Sequence, residues 1–491
     1  MITGRFTSVL VANRGEIAAR VLRTVKALGL RGLLVAHEVD AGAPAFALAD
    51  DVRWISGPTP VAAFLDAAQI VVAARDMGAE AIHPGYGFLS ENPDFARSVA
   101  AAGITFIGPD PETIELMGDK VRARAFVEAL GFPVAPSAIE DEDPATFVER
   151  ARALGAPILI KPSAGGGGKG MRIVRDLAAL EAEIDRARSE ALRYFGDGRL
   201  FVERYIERPR HIEVQVLGDR HGGVLHLHER ECSLQRRFQK VVEEAPSPAL
   251  DDAARARICE VAAGIARSAA YVGAGTVEFV YGAGAFYFLE MNTRLQVEHP
   301  VTEAITGLDL VAEQIRIAQG EPLAFRQAEV VRNGHAIELR ICAEDAARDF
   351  SPTTGRVLRL SPPPHARFDA GVSEGAGVTA AFDSMIGKLV VHGLDRTDAL
   401  AKAKEALAGL VVFGLRTNIG FLRRLMADPA VTSGAIHTGL IAETPGLTAD
   451  PAIDAALADR LVALAAPHIP DLQRERRRVP ALHAAMGAWR N

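Results

Sequence analysis

Two strand-like runs, Gly275-Thr276-Val277-Glu278-Phe279-Val280-Tyr281 and Phe286-Tyr287-Phe288-Leu289-Glu290, flank the turn Gly282-Ala283-Gly284-Ala285 and so specify a β-hairpin. Folding over that turn brings Glu278 opposite Glu290. Opposed carboxylates repel unless a cation sits between them or one is protonated, and a shared magnesium is the preferred reading. The chain continues as Met291-Asn292-Thr293-Arg294-Leu295-Gln296-Val297-Glu298-His299-Pro300. Taken as extended, it places Glu290, Asn292, Arg294, Gln296 and Glu298 on one side. Two acids and an amide suit a hard divalent cation, an arginine suits an oxyanion, and the remaining glutamate is free to move a proton. A solvated face of an antiparallel sheet shows the same alternation and is the alternative.

At 491 residues the chain exceeds one compact core, and about three units are expected. Residues 8–12 predict a buried strand, followed by the loop Asn13-Arg14-Gly15-Glu16, an amphipathic helix to 27 and a strand at 32–36. That order argues for a doubly wound parallel unit, completed by strands at 81–82 and 105–108. Asn13-Arg14-Gly15 lacks the three-glycine dinucleotide fingerprint and reads as a turn. The loop at 83–92, His83-Pro84-Gly85-Tyr86-Gly87-Phe88, is either a tight connection or the rim of a site.

A strand ending in Lys161 leads into Gly165-Gly166-Gly167-Gly168-Lys169-Gly170. Successive glycines let backbone N–H groups curl around an oxyanion and let the loop close as a lid, although a flexible linker is the alternative. It is not a P-loop, because no Gly-Lys-Ser/Thr follows in place. From 334, short strands at 335–342, 355–360 and 386–392 and a helix at 396–408 predict a mixed α+β unit. The tail after 447 reads as helical to about 466, and Arg474-Glu475-Arg476-Arg477-Arg478 reads as a solvated face.

A net charge of −7 argues against a nucleic-acid or anionic-membrane surface. No stretch approaches ~20 apolar residues. The three cysteines, Cys232, Cys259 and Cys342, form neither a disulfide framework nor a zinc spacing, so a reducing cytoplasm fits. Lysines at 120, 161 and 240, the glycine loop, the glutamate pair and Asn292 are the parts that a magnesium-bound nucleoside triphosphate needs. Arg294, Lys240 and Glu298 remain over, for a small anion that attacks the γ phosphate.

These motifs, in order, make the chain resemble the biotin carboxylase family, the ATP-grasp component of biotin-dependent carboxylases. The similarity runs from about 8 to 447 through Ala12-Asn13-Arg14-Gly15-Glu16-Ile17-Ala18, the 83–92 loop, Met117-Gly118-Asp119-Lys120, the glycine loop, 232–246 and 290–302. The resemblance implies an α/β and α+β multidomain fold: a Rossmann-like N-terminal domain (1–115), an ATP-grasp domain (116–333) with a mobile lid at about 135–205, a mixed α+β C-terminal domain (334–447), then a helical tail (448–491). It implies Lys120, Lys161 and His211 on the ATP phosphates, with Gly167 and Gly168 closing over them. Glu203, Arg204, Tyr205, Ile206 and Gln235 would complete the nucleotide site. Glu278, Glu290 and Asn292 would bind Mg2+ or Mn2+. Lys240, Arg294, Gln296 and the Val297 backbone would hold bicarbonate, with Glu298 as general base and Arg340 against the ureido oxygen of biotin.

The implied product is carboxybiotin, formed through carboxyphosphate, for an acyl-CoA carboxylase. No Met-Lys-Met occurs, so biotin is expected on a separate carrier protein or domain, with a carboxyltransferase subunit and a homodimer or larger complex as further partners. Two departures stand out. Phe238 replaces the family's usual histidine near the phosphates, which removes a donor, and His37-Glu38-Val39-Asp40 replaces a serine-containing turn. Another ATP-grasp ligase and a non-catalytic nucleotide-binding subunit are the rival readings.

Overall fold

The computed structural model describes residues 5–140, 144–163, 170–449 and 455–465; Gly167, Gly168 and the basic run at 474–478 lie outside the described residues. The first sheet is parallel, with β1 (Ser8–Val11), β2 (Arg31–Ala36), β3 (Asp51–Trp54), β4 (Ala81–His83) and β5 (Thr105–Phe106) in the order β3-β2-β1-β4-β5. All four β1 residues are buried, as a strand covered on both faces requires. Helix α1 (Gly15–Ala27) follows at once and turns Ile17, Val21, Leu22 and Val25 inward. Its first residue, Gly15, has φ +65°, a left-handed conformation that glycine adopts without a Cβ clash.

A small antiparallel sheet comes next: β6 (Ser137–Ile139), β7 (Ile158–Pro162), β8 (Arg172–Val174) and β9 (Leu200–Arg204), in the order β6-β9-β7-β8. It has a core of its own, in which Phe147 and Ile184 from two covering helices meet Ile158, Ile160 and Val202. A subunit with a separate core can move as one body.

The third sheet is antiparallel and carries the site. Its strands are β10 (Arg210–Gly218), β11 (Val224–Arg236), β12 (Gln239–Ala245), β13 (Gly273–Gly282), β14 (Ala285–Asn292) and β15 (His335–Cys342), extended by Met385–Gly393 and Arg367–Ala370. The order is β14-β13-β10-β11-β12-β15 and then those two. The sheet passes residue 334 unbroken, since β12 pairs with β15 at Val242↔Leu339 and Glu243↔Glu338. Alternation splits each strand: Ile212, Val214, Val277 and Phe279 pack with Ile258, Ala262 and Ile265 of the helix Asp252–Ser268. Their sequence neighbours His211, Glu213, Gln215, Thr276 and Glu278 therefore face the other way.

The expected hairpin forms with Glu278 paired to Glu290. The extended reading of 290–298 needs correction. β14 ends at Asn292, residues 293–298 are irregular, and Glu298 is the N-cap of the helix His299–Thr306. Strand alternation therefore accounts for Glu290 and Asn292 but not for Arg294, Gln296 and Glu298.

Candidate active site

A cleft of about 590 Å³ opens between the small sheet and the polar face of the large one. Every described residue named above for the site lines it. Lys161, Glu203, Arg204, Tyr205 and Ile206 come from the small sheet and its exit. Lys120, His211, Gln235, Lys240, Glu278, Glu290, Asn292, Arg294, Gln296, Val297, Glu298 and Arg340 come from the body. The volume lies within the ~300–1,000 Å³ typical of small-molecule sites.

Lys240 is the electrostatic centre. Its ammonium donates to Glu213 Oε2 at 2.5 Å, Glu278 Oε1 at 2.9 Å and Glu298 Oε1 at 2.5 Å. Burial opposes that charge, but the three carboxylates outweigh it and hold Lys240 well above the usual lysine range. Burial and Glu213 push Glu298 upward, yet Lys240, Arg340 and Arg230 hold it below the ordinary glutamate value. A buried, ionised carboxylate at the wall of a cleft is able to accept a proton.

His211 Nε2 lies 3.0 Å from Glu278 Oε2 and 3.6 Å from Glu213 Oε2. Burial works against its charge, but Glu278 prevails and raises it to about 9, so it is an imidazolium at neutral pH. Nε2 is buried and, beyond this ion pair with Glu278, makes no hydrogen bond among the described residues. Such a donor fits a phosphate oxygen. Glu278, Glu290 and Asn292 present side-chain oxygens from neighbouring strands, and Lys120 stands 3.4 Å from Glu290 Oε2. That donor set fits a hard divalent cation.

Arg294 is held from the N-terminal unit. Its Nε donates to Glu91 Oε2 at 2.8 Å and its Nη2 to Asn292 Oδ1 at 3.2 Å, while the Thr293 N–H donates to Glu91 Oε1 at 3.2 Å. Glu91, from the 83–92 loop, thus orients Arg294, although no residue of that loop lines the cleft. Arg340 donates through Nε to Glu243 Oε1 at 2.6 Å and through Nη2 to Glu298 Oε2 at 3.0 Å. Phe238 sits at the tip between β11 and β12 with φ +66°, 57% exposed, and lines the cleft where the family usually has a donor.

Sequence reasoning missed the scaffold beneath these groups. Arg230, fully buried, donates to Glu213, Gln215, Thr276, Thr302 and Gln296. Lys388 donates to the Val297 carbonyl at 2.7 Å and lies 3.3 Å from Glu16. Arg230 stands in the charged run 229–231, which suggests a surface, and only its alternation on a strand signals otherwise. Glu213 had a visible signal, two residues from His211 on the same strand.

Comparison with known proteins agrees with this geometry. Residues 5–114 match the biotin carboxylase N-terminal domain, 119–326 the ATP-binding domain of the carbamoyl-phosphate synthase L chain, and 338–443 the biotin carboxylase C-terminal domain. A biotin carboxylase of Nostoc sp. is 46% identical over 445 residues, which cover 89% of this chain and 99% of that one. The human mitochondrial propionyl-CoA carboxylase alpha chain is 46% identical over 447 residues, 89% of this chain but 61% of the relative. The biotin carboxylase domain of the Hydrogenobacter thermophilus 2-oxoglutarate carboxylase, solved with MgADP, ADP and bicarbonate, superposes with a TM-score of 0.87 at 43% identity, covering 91% of this chain and all of that one.

Proposed function

The chain belongs to the biotin carboxylase family, and from that premise we propose how its residues divide the ATP-dependent carboxylation of biotin by bicarbonate. Lys120, Lys161 and the His211 imidazolium neutralise the triphosphate, Gly167 and Gly168 close over it, and Glu203, Arg204, Tyr205, Ile206 and Gln235 receive the rest of the nucleotide. Glu278, Glu290 and Asn292 would hold Mg2+ or Mn2+, which would offset the charge of the phosphate oxygens. Lys240, Arg294, Gln296 and the Val297 N–H fix bicarbonate. Glu298 removes its proton, and the bicarbonate oxygen attacks the γ phosphorus, expelling ADP and giving carboxyphosphate. Carboxyphosphate breaks into carbon dioxide and phosphate, the phosphate takes the ureido N–H proton, and Arg340 stabilises the enolate charge while nitrogen attacks carbon dioxide.

One observation carries the assignment: the ionised Glu298 lies 2.5 Å from Lys240 and 3.0 Å from Arg340. Base, bicarbonate site and biotin site thus share one carboxylate. The test is ATP turnover with and without bicarbonate and free biotin. Turnover dependent on bicarbonate and enhanced by biotin is expected, and turnover indifferent to both refutes the reading.

Relatives of this chain include subunits of acyl-CoA and pyruvate carboxylases. We assign this chain to such an assembly, with biotin on a separate carrier, a carboxyltransferase partner and a homodimeric or larger state. The domain limits at 115, 333 and 447 belong to the same proposal. Free Cys232, Cys259 and Cys342 suit a cytoplasmic setting, and among the described residues no helix is long and apolar enough to cross a membrane.

A further inference from the structure

Behind Arg340 the sheet places two carboxyl groups face to face. Glu243 on β12 and Glu338 on β15 are direct antiparallel partners, and both are fully buried. Opposed Cβ atoms in such a pair are ~4.5–5.5 Å apart, close enough for each carboxyl to act on the other's charge. Glu243 commits only one oxygen, Oε1, to Arg340. Its Oε2 and both oxygens of Glu338 have no hydrogen-bond partner among the described residues.

Two ionised glutamates cannot share that position without a cation. The charged groups acting on Glu338 are Lys388 from Met385–Gly393, Glu243 from β12, Arg340 from β15, and Glu298 where the next helix begins, next to His299. Arg340 is engaged with Glu243 and Glu298, and Lys388 with Val297 and Glu16. Burial, with Lys388 and Arg20 nearby, keeps His299 neutral. Three carboxylates would thus surround one guanidinium, a charge excess that a proton removes.

We propose that Glu338 is a neutral carboxylic acid whose O–H donates to Glu243 Oε2, and that this pair is the positioning device that aims Arg340 at the biotin ring. The inference rests on the role given to Arg340 above. With Glu338 neutral, Glu243 stays an ionised clamp on one edge of the guanidinium, and Glu298 accepts from Nη2 without a rival. With Glu338 ionised, Arg340 would be drawn back toward it and away from the cleft. Burial raises both carboxyls, Glu243 to about 7 with the Arg340 guanidinium already opposing the rise; because Arg340 donates to Glu243 and no donor reaches either Glu338 oxygen among the described residues, the shared proton rests on Glu338.

Infrared difference spectroscopy of the full chain tests the proton directly. Because Glu16 and Glu231 are also buried and raised, the readout is the difference between wild type and Glu338→Gln, which should contain the C=O stretch of a protonated buried carboxyl. A difference spectrum without that band overturns the proposal. The positioning role is read from kinetics. Glu338→Leu should lower kcat for biotin carboxylation about tenfold, as small misplacements of catalytic groups do, with KM for ATP unchanged. Glu338→Gln, whose amide N–H donates in place of the acid, should recover most of that loss. Full kcat in Glu338→Leu overturns the positioning role. If the difference spectrum shows the band but wild type does not carboxylate biotin, the assigned function fails and the shared proton stands. Should Glu338→Leu not fold, the infrared comparison still decides.

Discussion

Arg230→Met strips five acceptors of their donor: Glu213 at 2.6 Å, Gln215 at 2.7 Å, Gln296 at 2.8 Å, and the Thr276 and Thr302 hydroxyls at 3.0 Å each. Removing one partner from a buried ion pair costs ~3–5 kcal/mol. Two features favour the lower end. Glu213 keeps Lys240 at 2.5 Å, and the two hydroxyls can rotate to other partners. Methionine also refills part of the apolar volume. A loss of ~3 kcal/mol corresponds to a fall in melting temperature of about 6 °C, at the ~2 °C per kcal/mol expected for larger domains. Calorimetry on wild type and variant reads it. Because Gln296 loses one of its two anchors, KM for bicarbonate should rise while KM for ATP changes little. A variant that melts within about 2 °C of wild type with unchanged KM for bicarbonate would refute the idea that this guanidinium holds the floor of the site.

Glu298→Gln should lower bicarbonate-dependent ATP cleavage by ~10²–10⁴, the usual contribution of a general base, and retained cleavage in a phosphate-release assay would exclude that role. Arg340→Ala should abolish carboxylation of free biotin while largely sparing bicarbonate-dependent ATP cleavage; loss of neither would remove it from the biotin site. Phe238→His restores a donor at the cleft mouth and should lower KM for ATP, whereas an unchanged value in initial-rate assays would mean the ring is neutral toward nucleotide. Burial opposes the charge of Asp369, but Arg367 prevails and lowers its pKa to about 2. A depressed carboxylate contributes stability present above its unfolded value and lost as pH falls through the folded one. Asp369→Asn should therefore cost about 2 kcal/mol at pH 7, and that gap should narrow as pH falls from 4 toward 2 in urea titrations. A constant gap would show that charge is not its origin.

The hairpin pairing of Glu278 with Glu290 was legible because turn glycines and period-two alternation are local signals, and local signals suffice where the partner strand is the next one. The segment 293–298 misled for the same reason. Alternating polar residues look like a strand, yet the ladder stops at Asn292 and a helix begins at His299. Arg294 reaches the cleft because Glu91, from a different unit, grips it. Arg230 and Lys388 were not legible, since a buried charge and a surface charge are spelled with the same letters.

Residue types along the chain set the candidate chemistry: carboxylates and an amide for a cation, lysines and arginines for anions, one glutamate for a proton, with local backbone geometry fixing the placement of Glu278, Glu290 and Asn292 alone. Tertiary structure decided which of these groups are charged and which of them touch. Glu243 and Glu338 meet only because β12 and β15, distant in sequence, pair in one register, and both lie where water cannot screen them. A pKa follows from desolvation and from the sum of neighbouring charges, and neither exists until the sheet has closed.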